Sequence, residues 1–125
     1  MAVMELTFDN FVETVSCRGI TLVDCWAEWC GGCKTFTPVF EQVAEKYPQY
    51  TFGRLDTQTE DTITAKLEIK HIPTLLLYRD GLLLFHQPGN FGEAELEGIV
   101  KQAEALDMDE VRSAIDQERK EEQAD

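Results

Sequence analysis

Two cysteines separated by two glycines are the residues best suited to chemistry. Cys30 and Cys33 stand in the run Trp29-Cys30-Gly31-Gly32-Cys33, between a predicted strand and a predicted helix. The first turn of a helix has unpaired N–H groups and a partial positive charge, so a thiolate at Cys30 would be stabilised there. Cys33 lies about one helical turn further on and on the same side. The spacing predicts a dithiol/disulfide pair in which Cys30 attacks a partner disulfide and Cys33 resolves the mixed disulfide.

The alternative for the same two residues is half of a zinc site. Structural zinc usually takes four ligands, but the chain has no second CxxC, and His71 and His86 are far apart in the sequence. We therefore expect no metal and no bound cofactor.

Cys17 and Cys25 are predicted to be small apolar residues, with a regulatory thiol as the alternative. Unpaired thiols beside a spaced pair favour a reducing compartment, so we expect a cytoplasmic protein.

A strand, a helix and a second strand are predicted to position the pair. Residues 20–27 form a β-rich apolar run with a single charge, Asp24. Apolar residues then recur at spacings of three and four from residue 33 to about residue 47, which predicts a helix that Pro38 should bend. Residues 50–55 are predicted to be the second strand. Such a βαβ unit has parallel strands and a right-handed crossover.

The remaining elements complete an α/β fold with a mixed sheet of four to five strands and helices on both faces. We predict an edge strand over residues 3–6 and a short helix with Phe11, Val12 and Val15 on its buried face. The elements predicted after the βαβ unit are a helix over residues 59–67, a strand over 74–78, a hairpin turn at Asp80-Gly81, a strand over 82–85 and a helix over 93–105.

Composition and charge narrow the class of protein. The chain has 125 residues, about the size of one domain, and 43% of them are hydrophobic. Eleven basic residues against 24 acidic ones give a net charge of −13, which makes nucleic acid and anionic membranes poor partners. No apolar run approaches the roughly 18 residues that a membrane span needs. The first residues also lack the basic and apolar regions of a secretory signal.

The end of the chain differs in composition from the rest. Residues 107–125 hold eight acidic and three basic residues. A narrow apolar stripe in this stretch consists of Met108, Val111, Ala114 and Ile115. We predict a domain over residues 1–106, followed over residues 107–125 by an acidic amphipathic tail whose short helix frays.

The residues around the cysteine pair resemble a known family. The run VDCWAEWCGGCK at residues 23–34 is similar to the active-site block of the thioredoxin family, which usually has Phe in place of Cys25 and Pro in place of Gly32. The resemblance covers roughly residues 5–105 and implies a thioredoxin fold. The other matching positions are Pro38, the loop His71-Ile72-Pro73-Thr74, the turn Asp80-Gly81, and Gly89.

The resemblance implies a role for each matching residue. Cys30 would be the attacking cysteine, Cys33 the resolving one, and Pro73 a cis proline that faces the disulfide. Asp24 would be the buried carboxylate that takes the Cys33 proton. An unpartnered aspartate in a central strand is costly, and its burial should raise its pKa; a purely structural acid is the alternative. The substrate-binding rim would consist of Trp29, Gly31, Gly32, Ile72, Pro73 and Gly89, and the supporting residues would be Trp26, Lys34, Pro38 and Arg54.

Two departures from the family pattern bear on the chemistry. Gly32 replaces a proline, which frees one more backbone N–H near the sulfurs and could make the pair more oxidising. Arg54 stands where the family has a lysine near the buried aspartate. Because arginine stays charged, Arg54 could lower the pKa of Asp24 but could not exchange a proton itself.

The resemblance implies a protein-disulfide reductase that receives its electrons from a separate reductase. A first alternative is a more oxidising, isomerase-like exchanger, which Gly32 favours. A second alternative is an interaction module that docks a partner through its tail, and the apolar stripe in the tail favours this alternative. We expect a monomer, with a dimer formed through the tail as the alternative, and protein disulfides rather than nucleic acid or membranes as partners.

Overall fold

Five strands form one mixed sheet in the order β1-β3-β2-β4-β5. The computed structural model describes residues 2–123. The strands are β1 (Val3–Leu6), β2 (Ile20–Trp26), β3 (Thr51–Asp56), β4 (Thr74–Arg79) and β5 (Leu82–Pro88). β1, β3 and β2 run parallel, whereas β4 and β5 add antiparallel pairings. The predicted mixed sheet is confirmed.

Helices cover both faces of this sheet. They are α1 (Phe11–Val15), α2 (Gly31–Lys46), α3 (Asp61–Lys66), α4 (Glu93–Ala105) and α5 (Met108–Gln123). α2 and α4 contribute Phe36, Phe40 and Leu96 to the core on one face, and α1 and α3 contribute Phe11 and Ile63 to the core on the other. Because helices cover it on both sides, the central strand β2 is buried along nearly its whole length.

Alternation along β2 sorts its side chains between the two cores. Leu22 belongs to the core under α2 and α4, whereas Val23 and Cys25 belong to the opposite core. Asp24 therefore points to the α2 face and Cys25 points away from it. Cys25 is fully buried, and burial raises the pKa of its thiol, so it is a small apolar residue remote from the Cys30–Cys33 pair.

Several predicted boundaries and one predicted core residue differ from the structure. Val12 is 71% exposed, so its predicted place on the buried face of α1 was wrong; Thr14 turns inward instead, with its hydroxyl donating to the Asn10 carbonyl. α2 begins two residues earlier than predicted, at Gly31, and β5 continues to Pro88. A proline is tolerated at the end of β5 because β5 is an edge strand.

The C-terminal helix is longer than predicted. α5 runs unbroken over 16 residues, further than the short helix that was expected, and residues 124–125 of the predicted tail lie outside the described part. Its start is fixed by Met108, which is buried, and by Arg112, whose guanidinium lies 3.6 Å from the Asp80 carboxylate. Arg79 donates to the carbonyls of Ala103 and Leu106, between α4 and α5. The division of the chain at residue 106 stays a prediction.

The helices described between residues 2 and 123 include none that is long and apolar enough to cross a membrane. The same residues contain no group of three or more histidine, cysteine, aspartate or glutamate side chains placed to hold a metal ion.

The close packing of Leu6 against Gly53 predicts how a substitution at Gly53 affects stability. A Cβ at this buried position of β3 would lie 2.6 Å from Leu6 Cδ1, so Gly53→Ala forces the Leu6 side chain to move. We expect a loss of about 1–3 kcal/mol in the free energy of unfolding, measured by urea denaturation. Gly98→Ala in α4 is the matched control. No atom lies within 4 Å of its Cβ, so that variant should gain up to about 1 kcal/mol of stability. Equal stability of the two variants would contradict the predicted crowding.

Candidate active site

The cysteine pair lies where β2 ends and α2 begins. A turn in which the Cys30 N–H donates to the Ala27 carbonyl at 3.2 Å brings the chain to the start of α2. Cys30 is the N-cap residue of that helix, and its Sγ accepts a hydrogen bond from the Cys33 N–H at 3.1 Å. The two residues form a disulfide with their Cα atoms 5.3 Å apart. Negative charge that develops on Cys30 therefore lies at the positive end of a 16-residue helix.

The two sulfurs differ in their surroundings. Cys30 is 6% exposed and Cys33 is 2% exposed, so Cys30 is the more accessible to a partner. Both pack against Ala27, with the half-buried Trp26 and Ile72 beside them. The neighbouring Trp29 is 69% exposed, which leaves a large apolar surface next to Cys30.

A proline loop faces the start of α2. The Ile72–Pro73 peptide bond is cis, as the resemblance implied. A Cβ built on Gly32 would lie 3.3 Å from Pro73 Cδ, so this loop and the cysteine turn are in close contact. The Gly89 N–H donates to the Pro73 carbonyl at 2.9 Å, and the Thr74 hydroxyl donates to the His71 carbonyl. The structure thus brings Gly32, Pro73 and Gly89 together next to the cysteine turn.

Asp24 lies in the central strand β2, two residues before the end of that strand. It is 0% exposed, and neither carboxylate oxygen has a hydrogen-bond partner among the described residues. Burial raises the pKa of Asp24 from its ordinary value of 3.8 to about 7. The positive charge of Arg54 acts against this rise, and the negative charge of Glu41 in α2 adds to it. The carboxyl group can therefore bind or release a proton near neutral pH.

Arg54 occupies the position next to Asp24 in the sheet. The two residues are paired in the register of β2 and β3, so their side chains share a face. The Arg54 guanidinium stacks on Trp26, with Cζ 4.2 Å from the ring centroid, and Nη1 lies 3.7 Å from Glu5 Oε1. Arginine remains protonated throughout the neutral range, so it acts on Asp24 as a fixed charge.

A groove runs along the Cys33 side of the pair. Its volume is about 290 Å³. It is lined by the four residues predicted as supporting, Trp26, Lys34, Pro38 and Arg54, together with Ala27, Glu28, Cys33 and Thr37. We call this space the Cys33 groove. It gives solvent a route to the Cys33 side of the disulfide.

Two charged residues near the site were missed by sequence reasoning. Glu5 lies opposite Arg54 in the register of β1 and β3, and Glu41 projects from α2 toward Asp24. Neither has a local motif. Alternation within β1 places Glu5 on one face, but only the strand order, with β3 between β1 and β2, brings it beside Arg54.

A disulfide at the first turn of a helix, facing a proline loop across the end of a mixed sheet, defines a thiol–disulfide oxidoreductase of the thioredoxin fold. Residues 2–104 match the family described as Thioredoxin. A "Putative thioredoxin 2" of Streptomyces coelicolor is 46% identical over 112 residues, which cover 90% of this chain and 84% of that relative. A "Thioredoxin" of Staphylococcus haemolyticus is 40% identical over 82 residues, which cover 65% of this chain and 78% of that protein.

The chain therefore belongs to the thioredoxin family. The solved structure of Malassezia sympodialis thioredoxin supports the fold, with a TM-score of 0.73 at 24% identity over 80% of this chain and 91% of that one. The protein is a protein-disulfide oxidoreductase whose redox-active group is the Cys30–Cys33 pair. The exchange needs no bound cofactor, because the sulfur atoms themselves accept and release the electrons.

Asp24 generates a prediction about pH and stability. A group whose pKa is higher in the folded state stabilises the fold below its unfolded pKa and loses that contribution as pH rises through the folded pKa. For Asp24 this contribution is lost between about pH 3.8 and about pH 7. The loss in the free energy of unfolding amounts to about 4 kcal/mol. Urea denaturation of the oxidised protein should therefore show Asp24→Asn gaining stability over the wild type as pH rises from 4 to 8. An exposed control, Asp116→Asn, should follow the wild type; parallel curves for Asp24→Asn and the wild type would contradict the raised pKa.

Proposed function

We propose that the protein reduces protein disulfides, with Cys30 as nucleophile, Cys33 as resolving thiol and Asp24 as proton acceptor. The observation that carries this assignment is the asymmetry of the pair. Cys30 is the more exposed of the two residues, and it is the N-cap of α2, where its Sγ accepts a hydrogen bond from the Cys33 N–H. A charge-assisted hydrogen bond at a helix N-terminus stabilises a thiolate, which is the attacking form.

The exchange proceeds in two displacements. The Cys30 thiolate attacks one sulfur of the partner disulfide; a Cys30–partner bond forms, the partner's S–S bond breaks, and its second sulfur leaves as a thiolate that takes a proton from solvent. Cys33 then gives up its proton and attacks Cys30 Sγ, which breaks the mixed disulfide and releases the other partner thiolate. Two electrons pass from the protein to the partner, and the Cys30–Cys33 disulfide remains.

Asp24 is the proton acceptor in the second displacement. Its pKa near 7 makes the carboxylate available at neutral pH and basic enough to accept a thiol proton. We propose that a water molecule carries the proton between Cys33 and Asp24, since the Cys33 groove opens beside both Cys33 and the neighbouring Arg54. Arg54 tunes the carboxylate without exchanging a proton.

The rim of Trp29, Gly31, Gly32, Ile72, Pro73 and Gly89 is the proposed substrate surface. The exposed ring of Trp29 supplies apolar contact, and the glycines let a partner's backbone approach the sulfurs closely. An extended segment of the partner, which carries its disulfide, fits such a surface better than a small polar molecule does.

The proposal also covers the electron donor, the compartment and the oligomeric state of the protein. A separate reductase must return two electrons to the Cys30–Cys33 disulfide after each turnover, which makes the protein a link in electron transport. Cys17 and Cys25 are both free thiols, which suits a reducing compartment, and we propose the cytoplasm. Met108 of the α5 stripe is buried and Val111 and Ile115 are half-buried, which favours a monomer over a dimer formed through the tail.

The lifetime of the mixed disulfide tests the three assigned roles. Cys33→Ser removes the resolving thiol, so mixing the reduced variant with insulin should accumulate a stable Cys30–insulin disulfide, visible on a non-reducing gel. Cys30→Ser, the control, should trap nothing. Asp24→Asn should prolong the lifetime of the mixed disulfide in quenched-flow experiments at pH 7 by about a hundredfold, the lower end of general-base effects. Trapping by Cys30→Ser instead would reverse the roles of the cysteines, and an unchanged lifetime would remove Asp24 from the mechanism.

A second candidate function is a more oxidising, isomerase-like exchanger. Gly32 favours it, because its backbone N–H lies in the first turn of α2, where helix donors have no partner within the helix. A hydrogen bond to a charged sulfur is worth roughly 1.5–3 kcal/mol, or about 30–60 mV for a two-electron couple.

The reduction potential distinguishes the two functions. Equilibration with glutathione should give a value near about −270 mV for a thioredoxin-type reductant and near about −180 mV for an isomerase-like exchanger. Gly32→Pro should give a more negative potential than Gly32→Ala. Both variants add a Cβ about 3.3 Å from Pro73 Cδ, but only proline removes the N–H. Equal potentials in the two variants would show that the Gly32 N–H has no effect on the couple.

A further inference from the structure

Arg54 lies between two carboxylates on neighbouring strands. Glu5 of β1 is paired with Arg54 of β3, and Arg54 is paired in turn with Asp24 of β2, so the three side chains form a row on one face of the sheet. The outer carboxylate is exposed, and the inner one is fully buried. Arg54 Nη1 lies 3.7 Å from Glu5 Oε1, whereas the Asp24 oxygens have no hydrogen-bond partner among residues 2–123.

Arg54 also separates two spaces. On one side is the Cys33 groove. On the other is a cavity of about 290 Å³ that Arg54 shares with Glu5, Glu41 and Glu45, which we call the acidic cavity. The guanidinium stacks on Trp26 at the boundary between them. A small rotation of the Arg54 side chain would change its distances to Glu5 and to Asp24 in opposite senses.

We propose that Glu5 is a positioning residue that holds the Arg54 guanidinium toward the outer edge of the sheet and so limits how strongly Arg54 stabilises the ionised form of Asp24. The proposal rests on the proposed function, since it concerns the group assigned as proton acceptor. Through this row an exposed residue on an edge strand sets the pH at which the buried carboxyl becomes a base.

The pKa of Asp24 also depends on the other groups around it. Glu41 faces it from α2, Arg54 from β3 and Glu5 from β1, whereas the paired residue of β4 is Leu75, which has no charge. Glu28 and Lys34 line the Cys33 groove on the far side of Arg54. Because Glu41 raises the pKa of Asp24 and Arg54 lowers it, displacement of Arg54 changes a balance of opposing charges.

The test compares Glu5→Gln with Glu45→Gln. Both variants remove one negative charge from the acidic cavity, but of these two residues only Glu5 forms an ion pair with the Arg54 guanidinium. The pKa of the Asp24 carboxyl is measured by carbon-detected NMR titration of the oxidised 125-residue chain. We expect Glu5→Gln to lower that pKa by clearly more than Glu45→Gln does. The pH profile of mixed-disulfide resolution should shift toward acid in the same variant, a change that simple loss of stability would not produce.

Making Glu5→Gln and Glu45→Gln in an Arg54→Met background as well completes a double-mutant cycle. If Glu5 acts through Arg54, Glu5→Gln and Glu45→Gln should then change the pKa of Asp24 equally. Equal effects in the wild-type background, or an excess effect of Glu5→Gln that persists without Arg54, would overturn the proposal. If Arg54→Met does not fold, the wild-type comparison still decides, because the positioning account requires the two variants to differ there.

The proposed function can be rejected separately from the positioning role of Glu5. The NMR titration reports the carboxyl of Asp24 whether or not that carboxyl takes the Cys33 proton. An unchanged mixed-disulfide lifetime in Asp24→Asn would reject the catalytic role of Asp24 and leave the titration result standing.

Discussion

The burial of one unpaired carboxyl in the central strand is the constraint on which the site depends. Asp24 lies in the most buried strand of the protein and has no hydrogen-bond partner among the described residues. When ionised it costs the fold about 4 kcal/mol, a large part of a typical domain's stability. The aromatic core around Phe36, Phe40 and Phe52, with an edge-to-face contact between Phe40 of α2 and Phe52 of β3, offsets that cost.

The same burial gives the carboxyl its chemistry. An exposed aspartate would be ionised at neutral pH and would be too weak a base for a thiol. Desolvation brings its pKa close to 7, and the fixed charge of Arg54 keeps it from rising further. In the proposed mechanism, the start of α2 stabilises charge on Cys30, and the less exposed Cys33 loses its proton later. Under this proposal, one helix terminus and one buried acid give different roles to two chemically identical thiols.

Much of this could be predicted from sequence because the signals are local. The apolar run of β2, the 3.6-residue period of α2 and the CxxC between them place the disulfide, and Asp80-Gly81 marks a hairpin through two residues with positive φ. Val12 was misplaced because hydrophobicity alone does not determine which side of a five-residue helix is buried. The full length of α5 was missed because its polar sequence gives only a narrow apolar stripe.

Glu5 and Glu41 could not be predicted, because their effects depend on which strands and helices become neighbours. A parallel β1-β3-β2 order puts residues 5, 54 and 24 in one row, although they are separated by up to 49 positions in the sequence. Long-range charge rows of this kind leave no pattern in composition or periodicity. Arg54 shows why they matter. Since its charge is fixed, the proton affinity of the row's buried member depends on where the guanidinium lies, and that is set by contacts with Trp26 and Glu5 on either side of it.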